Sequence, residues 1–429
     1  MRKLLFVLLA IAIAAPAFAG DALVLPGGVG RFYLAPVYGW DSGAFDDKSE
    51  RIEIEDNDGS LETLFNLGMA LEYGITDQIS AGLQWAPGYN FIGEINFDDN
   101  PAEVESNVSN FDGAFTGAAD NSYDGEAFVL GNGTIPVGAF DGTDPLQSVD
   151  LSQFSQLTLT DKDTILKGAA PLTVGAEIQI MGNQGFVRND TFMFSVTPGV
   201  DIALGQPNWK EQGKAFAKGN DHVNPVIYAA GFDPRYAVGG RMDFDYLPIE
   251  ILRLNLQQEY RYRIQREYDV TDFYSEVGGY VIFHDGGAGP GNLVQQENLS
   301  GNDFKDFTLT SGAYQRFVTE FEPSLDVPID VPFNLQVSLP WEFTYETAYD
   351  VDYDFKVESS LLGTVKEDGT AAEGDEAWRL YMSQTVNVFI TEWALPTQFL
   401  AYWNVPIAGK NKAIQNSVVL EARAYFSTN

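Results

Sequence analysis

Charged side chains recur at every second position in two neighbouring stretches of the sequence, 234–247 and 250–268. The residues that carry them are, in chain order, Arg241, Asp243, Asp245, Arg253, Glu259, Arg261 and Arg263. Apolar residues such as Met242 and Phe244 stand between them. A period of two places every charged side chain on the same face of a β-hairpin. Arginines on such a face can attract anions, because guanidinium keeps its charge and offers a fork of donors.

Two interpretations of this charged face stay open. In the first, the arginines pair with the acids of the same phase and form a lattice of ion pairs that stiffens a wall. Folding the hairpin around Leu247-Pro248 then predicts Arg253 opposite Asp243 or Asp245, depending on register. In the second, the arginines form a basic constriction that lines a pore and attracts anionic solutes. Both place the seven residues on the polar inner face of a sheet.

Residues that commonly do catalytic chemistry are scarce. The chain has no cysteine and two histidines, His222 and His284. Both histidines fall in predicted external loops, whereas a histidine base is normally held on a rigid element. Neither a G-x-S-x-G elbow, an HExxH pair nor a phosphate loop is present. We therefore predict that the protein is not an enzyme; a surface protease or lipase that uses one histidine is the alternative.

Two acidic runs could hold a hard cation. They are EIEDNDG (Glu53–Gly59) and DVDYD (Asp350–Asp354). Clustered carboxylates suit calcium, but neither run has the spacing of an EF-hand. We predict no cofactor, with calcium at these loops as the alternative to a solvated acidic surface.

The first nineteen residues indicate export. Arg2 and Lys3 precede an apolar run that ends in Ala17-Phe18-Ala19, an A-x-A cleavage pattern. We predict a signal peptide over 1–19 and a single domain over 20–429. The formal net charge of −36 disfavours nucleic acid as a partner.

Alternation of period two extends far beyond the charged hairpin. Apolar residues occupy the odd positions of LEYGITDQISAGLQW (Leu71–Trp85) on both sides of a short break. Comparable windows lie near 29–40, 62–74, 78–92, 172–181, 190–204, 234–247, 250–268, 311–325, 333–349, 377–391, 396–406 and 416–426. Windows near 152–160 and 352–364 could raise the number from twelve to fourteen.

The lengths of these windows favour lipid over a protein core as the neighbour of the apolar face. Long and short connections alternate between the windows, as in transmembrane barrels with long external loops and short periplasmic turns. Aromatic residues near the strand ends suit an interfacial girdle; they are Tyr33, Tyr73, Trp85, Tyr236, Tyr246, Trp341, Tyr345, Trp378 and Trp403. We predict an all-β, antiparallel, up-and-down transmembrane barrel of about twelve strands, closed by windows 29–40 and 416–426. A soluble all-β protein is the alternative.

The predicted loops are long and acidic. The segments 41–61, 93–171 and 350–376 carry many more acidic than basic residues. The segment 93–171 far exceeds an ordinary connection, and we interpret it as a solvated loop or as a lid over the mouth of the barrel. The short stretch before the first strand cannot form a separate plug domain, but it could tuck into the barrel.

The hairpin NLGMALEYGITDQISAGLQWAPG (Asn66–Gly88) and the opening LPGGVGRFYLAPVYG (Leu25–Gly39) resemble FadL-like outer-membrane channels, particularly the divergent forms of spirochaetes. The hairpin also resembles that of phenol-degradation-type outer-membrane proteins. The resemblance implies a bacterial outer-membrane location and passive uptake of small, in part hydrophobic, molecules. It also implies membrane lipid and the barrel-assembly machinery as partners. The long hatch of fatty-acid channels is missing. A structural or adhesive surface protein anchored by a barrel is the alternative.

Overall fold

The structure is a computed structural model of the 429-residue chain. It describes residues 22, 24–52, 60–85, 92–96, 126–130, 166–167, 171–182, 191–205, 207–218, 225, 235–284, 294–329, 331–360 and 363–428. The predicted signal peptide, His222, the run 53–59 and most of the segment 93–171 lie outside these residues.

Twenty-three strands are described. They are β1 (Val29–Phe45), β2 (Arg51–Ile52), β3 (Ser60–Thr76), β4 (Ile79–Trp85), β5 (Ile92–Asn96), β6 (Glu126–Leu130), β7 (Leu166–Lys167), β8 (Leu172–Met181), β9 (Phe192–Ile202), β10 (Ala237–Ile249), β11 (Leu252–Arg263), β12 (Arg266–Asp269), β13 (Gly279–His284), β14 (Val294–Leu299), β15 (Phe304–Ser311), β16 (Tyr314–Val327), β17 (Asn334–Ser338), β18 (Trp341–Glu346), β19 (Tyr349–Ser359), β20 (Gly363–Gly374), β21 (Ala377–Ile390), β22 (Thr397–Lys410) and β23 (Lys412–Ser427). The helices are α1 (Trp209–Ala217) and α2 (Thr271–Val277), with a 3₁₀ turn at Gly301–Asp303. Neither α-helix is long and apolar enough to cross a membrane.

Twelve strands form a closed antiparallel barrel, which confirms the predicted fold. The order around the wall is β1, β3, β4, β8, β9, β10, β11, β16, β17 continued by β18, β21, β22 and β23. The first strand pairs with the last, as predicted, from Val29 opposite Ser427 to Phe45 opposite Lys412. It also pairs with β3. Closure gives the two terminal strands of the wall a partner on both sides, which a sheet in hydrocarbon requires.

The outer face of the barrel is apolar and accessible. Exposed side chains include Phe32, Leu71, Leu83, Phe244, Leu256, Phe321, Phe343, Val386, Leu420 and Phe426, each 36% to 56% accessible. The odd positions of the stretch Leu71–Trp85 thus face outwards, as a lipid-facing strand requires. Polar side chains of the same strands, such as Glu72 and Asn255, are buried in the lumen. This distribution reverses that of a soluble sheet, whose apolar face packs inwards.

Short turns connect strands at the end of the barrel where β1 begins and β23 ends, which we call the turn end. Residues 77–78 and 250–251 make two of these turns. The opposite end carries long connections and is called the loop end. The last connection at this end is an exception to the predicted alternation of long and short connections. β22 and β23 extend until Asn411 alone separates them, and Asn411 has a positive φ of 50°.

At the loop end, two further sheets stand apart from the barrel wall. One has the order β12-β15-β19-β20 and the other β14-β13-β6. Helix α2 packs on β15 and against α1, where the rings of Trp209 and Phe273 meet edge to face. The aromatic rings of Tyr274 and Phe307 stack at 4.1 Å between centroids, and burial raises the pKa of the Tyr274 hydroxyl. We call α1, α2 and these two sheets the loop-end unit.

The loop-end unit settles the number of barrel strands. The window near 352–364 covers most of β19 and the start of β20. β19 pairs with β15 and with β20, and neither strand pairs with the wall. The additional window near 152–160 lies outside the described residues. The predicted window 250–268 also divides, because β11 ends at Arg263 and β12 leaves the wall for the loop-end unit.

Candidate functional site

The predicted charged residues lie on the inner face of β10 and β11. In this hairpin Arg241 stands opposite Glu259, Asp243 opposite Gln257, and Asp245 opposite Asn255. Arg241, Asp243, Asp245, Arg253, Glu259 and Arg261 are at most 9% exposed, and Arg263 is partly exposed.

Three of the arginines meet carboxylates inside the wall. The Nε atom of Arg241 lies 2.7 Å from Oδ2 of Asp243. Arg261 contacts Glu259 at 3.1 Å and Asp201, on β9, at 3.5 Å. Because a charge without a partner is costly in a buried site, these carboxylates hold the guanidinium groups in place. Asp201 is a partner that sequence reasoning missed, since it lies on a strand outside the hairpin.

Arg253 corrects the predicted register. We predicted it opposite Asp243 or Asp245, but the direct partner of Asp245 is Asn255. A bulge between Tyr246 and Ile249 shifts the pairing at the turn. The guanidinium reaches Asp245 diagonally at 3.5 Å and Glu322, on β16, at 3.4 Å.

Arg263 lies nearer the loop end, apart from the other three arginines. Its guanidinium stands 5.7 Å from the centre of the Tyr314 ring. Arg235 contacts the rings of Tyr314 and Tyr349 and hydrogen-bonds to Ser311. This group of side chains joins the barrel wall to β15 of the loop-end unit.

A second buried charge cluster joins β1, β3 and β4. Arg31 Nη2 lies 2.6 Å from Oε2 of Glu72, and both side chains are at most 4% exposed. The hydroxyls of Tyr33 and Ser80 each donate to Glu72 at 2.9 Å. Tyr33 therefore faces the lumen, which corrects its predicted place in an aromatic girdle. Tyr33 lies two residues after Arg31 in β1, so the period of two in the sequence could have placed both side chains on the same inner face.

The residues before β1 enter the turn end of the barrel. The Ala22 amide donates to Oδ2 of Asp245 at 2.9 Å, and Gln179 Nε2 donates to the Ala22 carbonyl at 3.2 Å. Ala22 packs on Met193. The chain then passes so close to Gly74 that a Cβ atom there would lie 2.0 Å from the Pro26 carbonyl oxygen. The segment is thus tucked into the barrel.

Described residues line two cavities in the lumen. The upper cavity, on the loop-end side, has a volume of about 570 Å³. It is lined by ionisable side chains including Arg241, Arg253 and Glu320 and, on other strands, by residues such as Leu400 and Tyr402. The lower cavity, of about 530 Å³, lies at the turn end. The side chains that line both are Gln336, Asn387 and Gln398. Among the predicted charged residues, Arg241 and Arg253 line the upper cavity, and the others line neither.

The described residues show no arrangement suited to a metal ion or to catalysis by His284. Over the described ranges, no group of three or more His, Asp or Glu side chains is arranged to hold a metal ion. Asp350, Asp352 and Asp354 alternate with buried residues along β19. His284 ends β13, away from the barrel wall.

Known proteins offer similar structures but no matching sequence family. No family model and no curated protein matches the chain. The COG4313 outer membrane channel from Pseudomonas putida F1 is similar at 13% identity and a TM-score of 0.43, over 96% of this chain and 100% of that one. The P. putida toluene transporter TodX shares 8% identity at a TM-score of 0.33, over 97% of both chains.

A FadL homologue of Pseudomonas aeruginosa shares 10% identity at a TM-score of 0.27, over 97% of this chain and 100% of that one. Identities and TM-scores this low do not establish a family for this chain.

Proposed function

We propose that the protein is a bacterial outer-membrane channel through which small molecules pass by diffusion. The observation that carries the proposal is the pair of cavities inside the closed barrel, which share the side chains of Gln336, Asn387 and Gln398. Twelve strands enclose more space than interior side chains fill in an eight-stranded barrel. The apolar outer face supports a location in lipid, with assembly by the barrel-assembly machinery.

The lining of the upper cavity indicates the class of solute. Arg241 and Arg253 present charge from β10 and β11, whereas Leu400 and Tyr402 present apolar and aromatic surface from β22. A cavity with both kinds of wall suits small molecules that combine an apolar part with a polar group. A purely hydrophobic solute would cover the charged side chains of the wall without offering them hydrogen-bond partners, which is costly. The proposed function involves no catalysis and no nucleic acid.

The proposal is tested by conductance of the purified protein in planar bilayers, combined with cysteine accessibility. The native chain has no cysteine. Thr385 lines the upper cavity, and Val386, the next residue, is 46% exposed on the outer face. We expect a bulky, water-soluble thiol reagent to reduce the current of a Thr385→Cys channel and to leave that of Val386→Cys unchanged. Absence of conductance in a folded barrel contradicts the proposal.

A second candidate function is a surface protein whose loops act while the barrel only anchors them. The packed core of the loop-end unit supports this alternative, because a loop that only joins strands does not need buried aromatic residues such as Phe307 and Phe355. A silent bilayer together with an intact, heat-modifiable barrel favours the anchor over the channel.

A further inference from the structure

Three amide side chains form a continuous row across the inner face of the barrel, where the two cavities meet. They are Gln336 on β17, Asn387 on β21 and Gln398 on β22, and we call them the amide relay. All three line both cavities, so a solute that moved between the cavities would pass them.

The relay is held by four hydrogen bonds in series. The Tyr425 hydroxyl donates to Gln398 Oε1 at 2.7 Å, and Gln398 Nε2 donates to Asn387 Oδ1 at 3.0 Å. Asn387 Nδ2 donates to Gln336 Oε1 at 3.4 Å, and Gln336 Nε2 donates to Asp326 Oδ1 at 2.8 Å. Every amide accepts on its oxygen and donates from its nitrogen.

Asp326 fixes the direction of the row, and Arg31 at the other end is consistent with it. Arg31 Nη1 lies 3.4 Å from the Tyr425 hydroxyl, and a guanidinium can only donate. Asp326 stands at the other end, and an ionised carboxylate can only accept. A reversed amide would set donor against donor or acceptor against acceptor. The orientation of each amide therefore follows from the network.

Strand register explains why these side chains meet. Asp326 pairs directly with Gln336, and Gln336 pairs directly with Asn387, so the three share one face of the sheet. Arg31 pairs directly with Tyr425 across the seam of the barrel. Gln398 lies one diagonal step from Asn387 and completes the row.

Each amide keeps hydrogen-bonding capacity that the relay does not use. A primary amide has two N–H groups and two lone pairs on its oxygen, and the row uses one of each. The surface that the relay presents to the cavities thus offers both donors and acceptors and carries no net charge. At the amides themselves an ion would lose hydration without an opposite charge, whereas a hydroxyl or amide group would find both donors and acceptors.

We propose that the amide relay is the binding and selection point for uncharged solutes that carry hydroxyl or amide groups. This inference rests on the proposed channel function and names the solute class for it. A polar group of the solute exchanges its hydration for bonds to the relay as it moves between the cavities. The upper cavity accommodates the remainder of the molecule.

The test uses the full-length protein in liposomes, with swelling in arabinose as the readout. The relay variants are Gln398→Met and Asn387→Leu, which keep side-chain size and remove the hydrogen bonds. Asn404→Leu is the matched control, because Asn404 lines the upper cavity but not the lower one. We expect liposomes that contain a relay variant to swell about threefold to tenfold more slowly than liposomes with the wild type. This range corresponds to the loss of one net hydrogen bond. The control should change less than about twofold.

A second variant provides an independent reading if the apolar variants fold poorly. Gln398→Glu keeps the length of the side chain and its bond from Tyr425 but adds a negative charge. It should shift the reversal potential in a potassium chloride gradient towards cation selectivity.

The outcomes separate this inference from the channel proposal. A wild-type protein that neither swells liposomes nor conducts ions overturns the channel, and the relay inference with it. If the wild type is a channel but liposomes with the relay variants swell as fast as those with the wild type or with Asn404→Leu, the relay inference alone is overturned. The row then only stabilises the barrel wall. An unchanged reversal potential in Gln398→Glu overturns the relay inference in the same way.

Discussion

Buried charge inside this barrel is organised around arginine side chains that bridge strands. Arg31 and Glu72 are cross-strand partners on β1 and β3, and Tyr33 and Ser80 satisfy the remaining positions on the carboxylate. Arg253 bridges β10 and β16 in a similar way through Asp245 and Glu322. Such networks are strong only when each member is satisfied, so loss of one member is expected to cost more than loss of a pair.

The Arg31–Glu72 pair gives a direct test of this expectation. Glu72→Leu leaves the guanidinium of Arg31 buried without its carboxylate and should reduce the free energy of unfolding by about 3–5 kcal/mol. The double variant Arg31→Met/Glu72→Leu should recover much of this loss. Urea unfolding in lipid vesicles measures both. A double variant at least as unstable as the single one would contradict a coupled pair.

The division between lipid face and lumen can be tested with two leucines on neighbouring strands. Leu420 is 56% exposed on the outer face near the middle of β23, and Leu400, on β22, lines the upper cavity. Leu420→Arg should destabilise the barrel by about 2–4 kcal/mol, because a charge near the bilayer midplane is poorly solvated. Leu400→Arg should cost much less. Equal losses in vesicle unfolding would mean that the two faces are assigned incorrectly.

At the residue scale, the sequence predicted the side of the sheet on which a side chain lies better than it predicted the residue's ion-pair or hydrogen-bond partner. The phase of Arg241, Asp243 and Asp245 followed from alternation, because lipid on one side forces a period of two. The partners Asp201 and Glu322 lie on other strands, and a register across distant strands leaves no local signal. The amide relay was missed for the same reason, since isolated asparagine and glutamine residues resemble any polar lining.

At the scale of elements, β19 shows where alternation becomes ambiguous. Val351, Tyr353, Phe355 and Val357 alternate along it with acidic or basic residues, as they would in a barrel strand. These apolar residues are at most 5% exposed, because they face the core of the loop-end unit instead of lipid. The sequence shows that one face is apolar but does not show which apolar medium covers it. The count of twelve strands was predictable, and this second sheet was not.

The loop-end unit should unfold separately from the barrel. Phe307 is 1% exposed and contacts the rings of Tyr274 and Phe355. Phe307→Ala should destabilise the unit by about 3–5 kcal/mol through loss of buried surface and formation of a cavity. Limited proteolysis should then cut within 266–311 while the barrel keeps its heat-modifiable migration. Phe317→Ala, on the outer face of the barrel, is the control. Simultaneous loss of the barrel would show that the two parts fold as one.

For the whole molecule, the arrangement of ends predicts an orientation in the membrane. The turns at 77–78 and 250–251, the start of β1 and the end of β23 share one end, which matches the periplasmic side of outer-membrane barrels. Because the chain has no cysteine, single cysteines can report on each end. A membrane-impermeant maleimide added to intact cells should label Lys366→Cys, on β20, and spare Glu250→Cys, in the turn before β11. Labelling of Glu250→Cys alone would invert the orientation.

The seam between β1 and β23 has a mechanical consequence. β23 is bonded on one side to β22 and on the other to β1, and Thr428 donates its amide to the Gly28 carbonyl at 2.9 Å. A force applied to this last strand would have to shear two ladders at once before any other strand could follow. Once β23 is removed, β1 and β22 each have a bare edge, and the remaining strands can peel away in hairpins. The seam therefore resists extraction more than the rest of the wall, and we expect the highest rupture force when β23 is pulled out first.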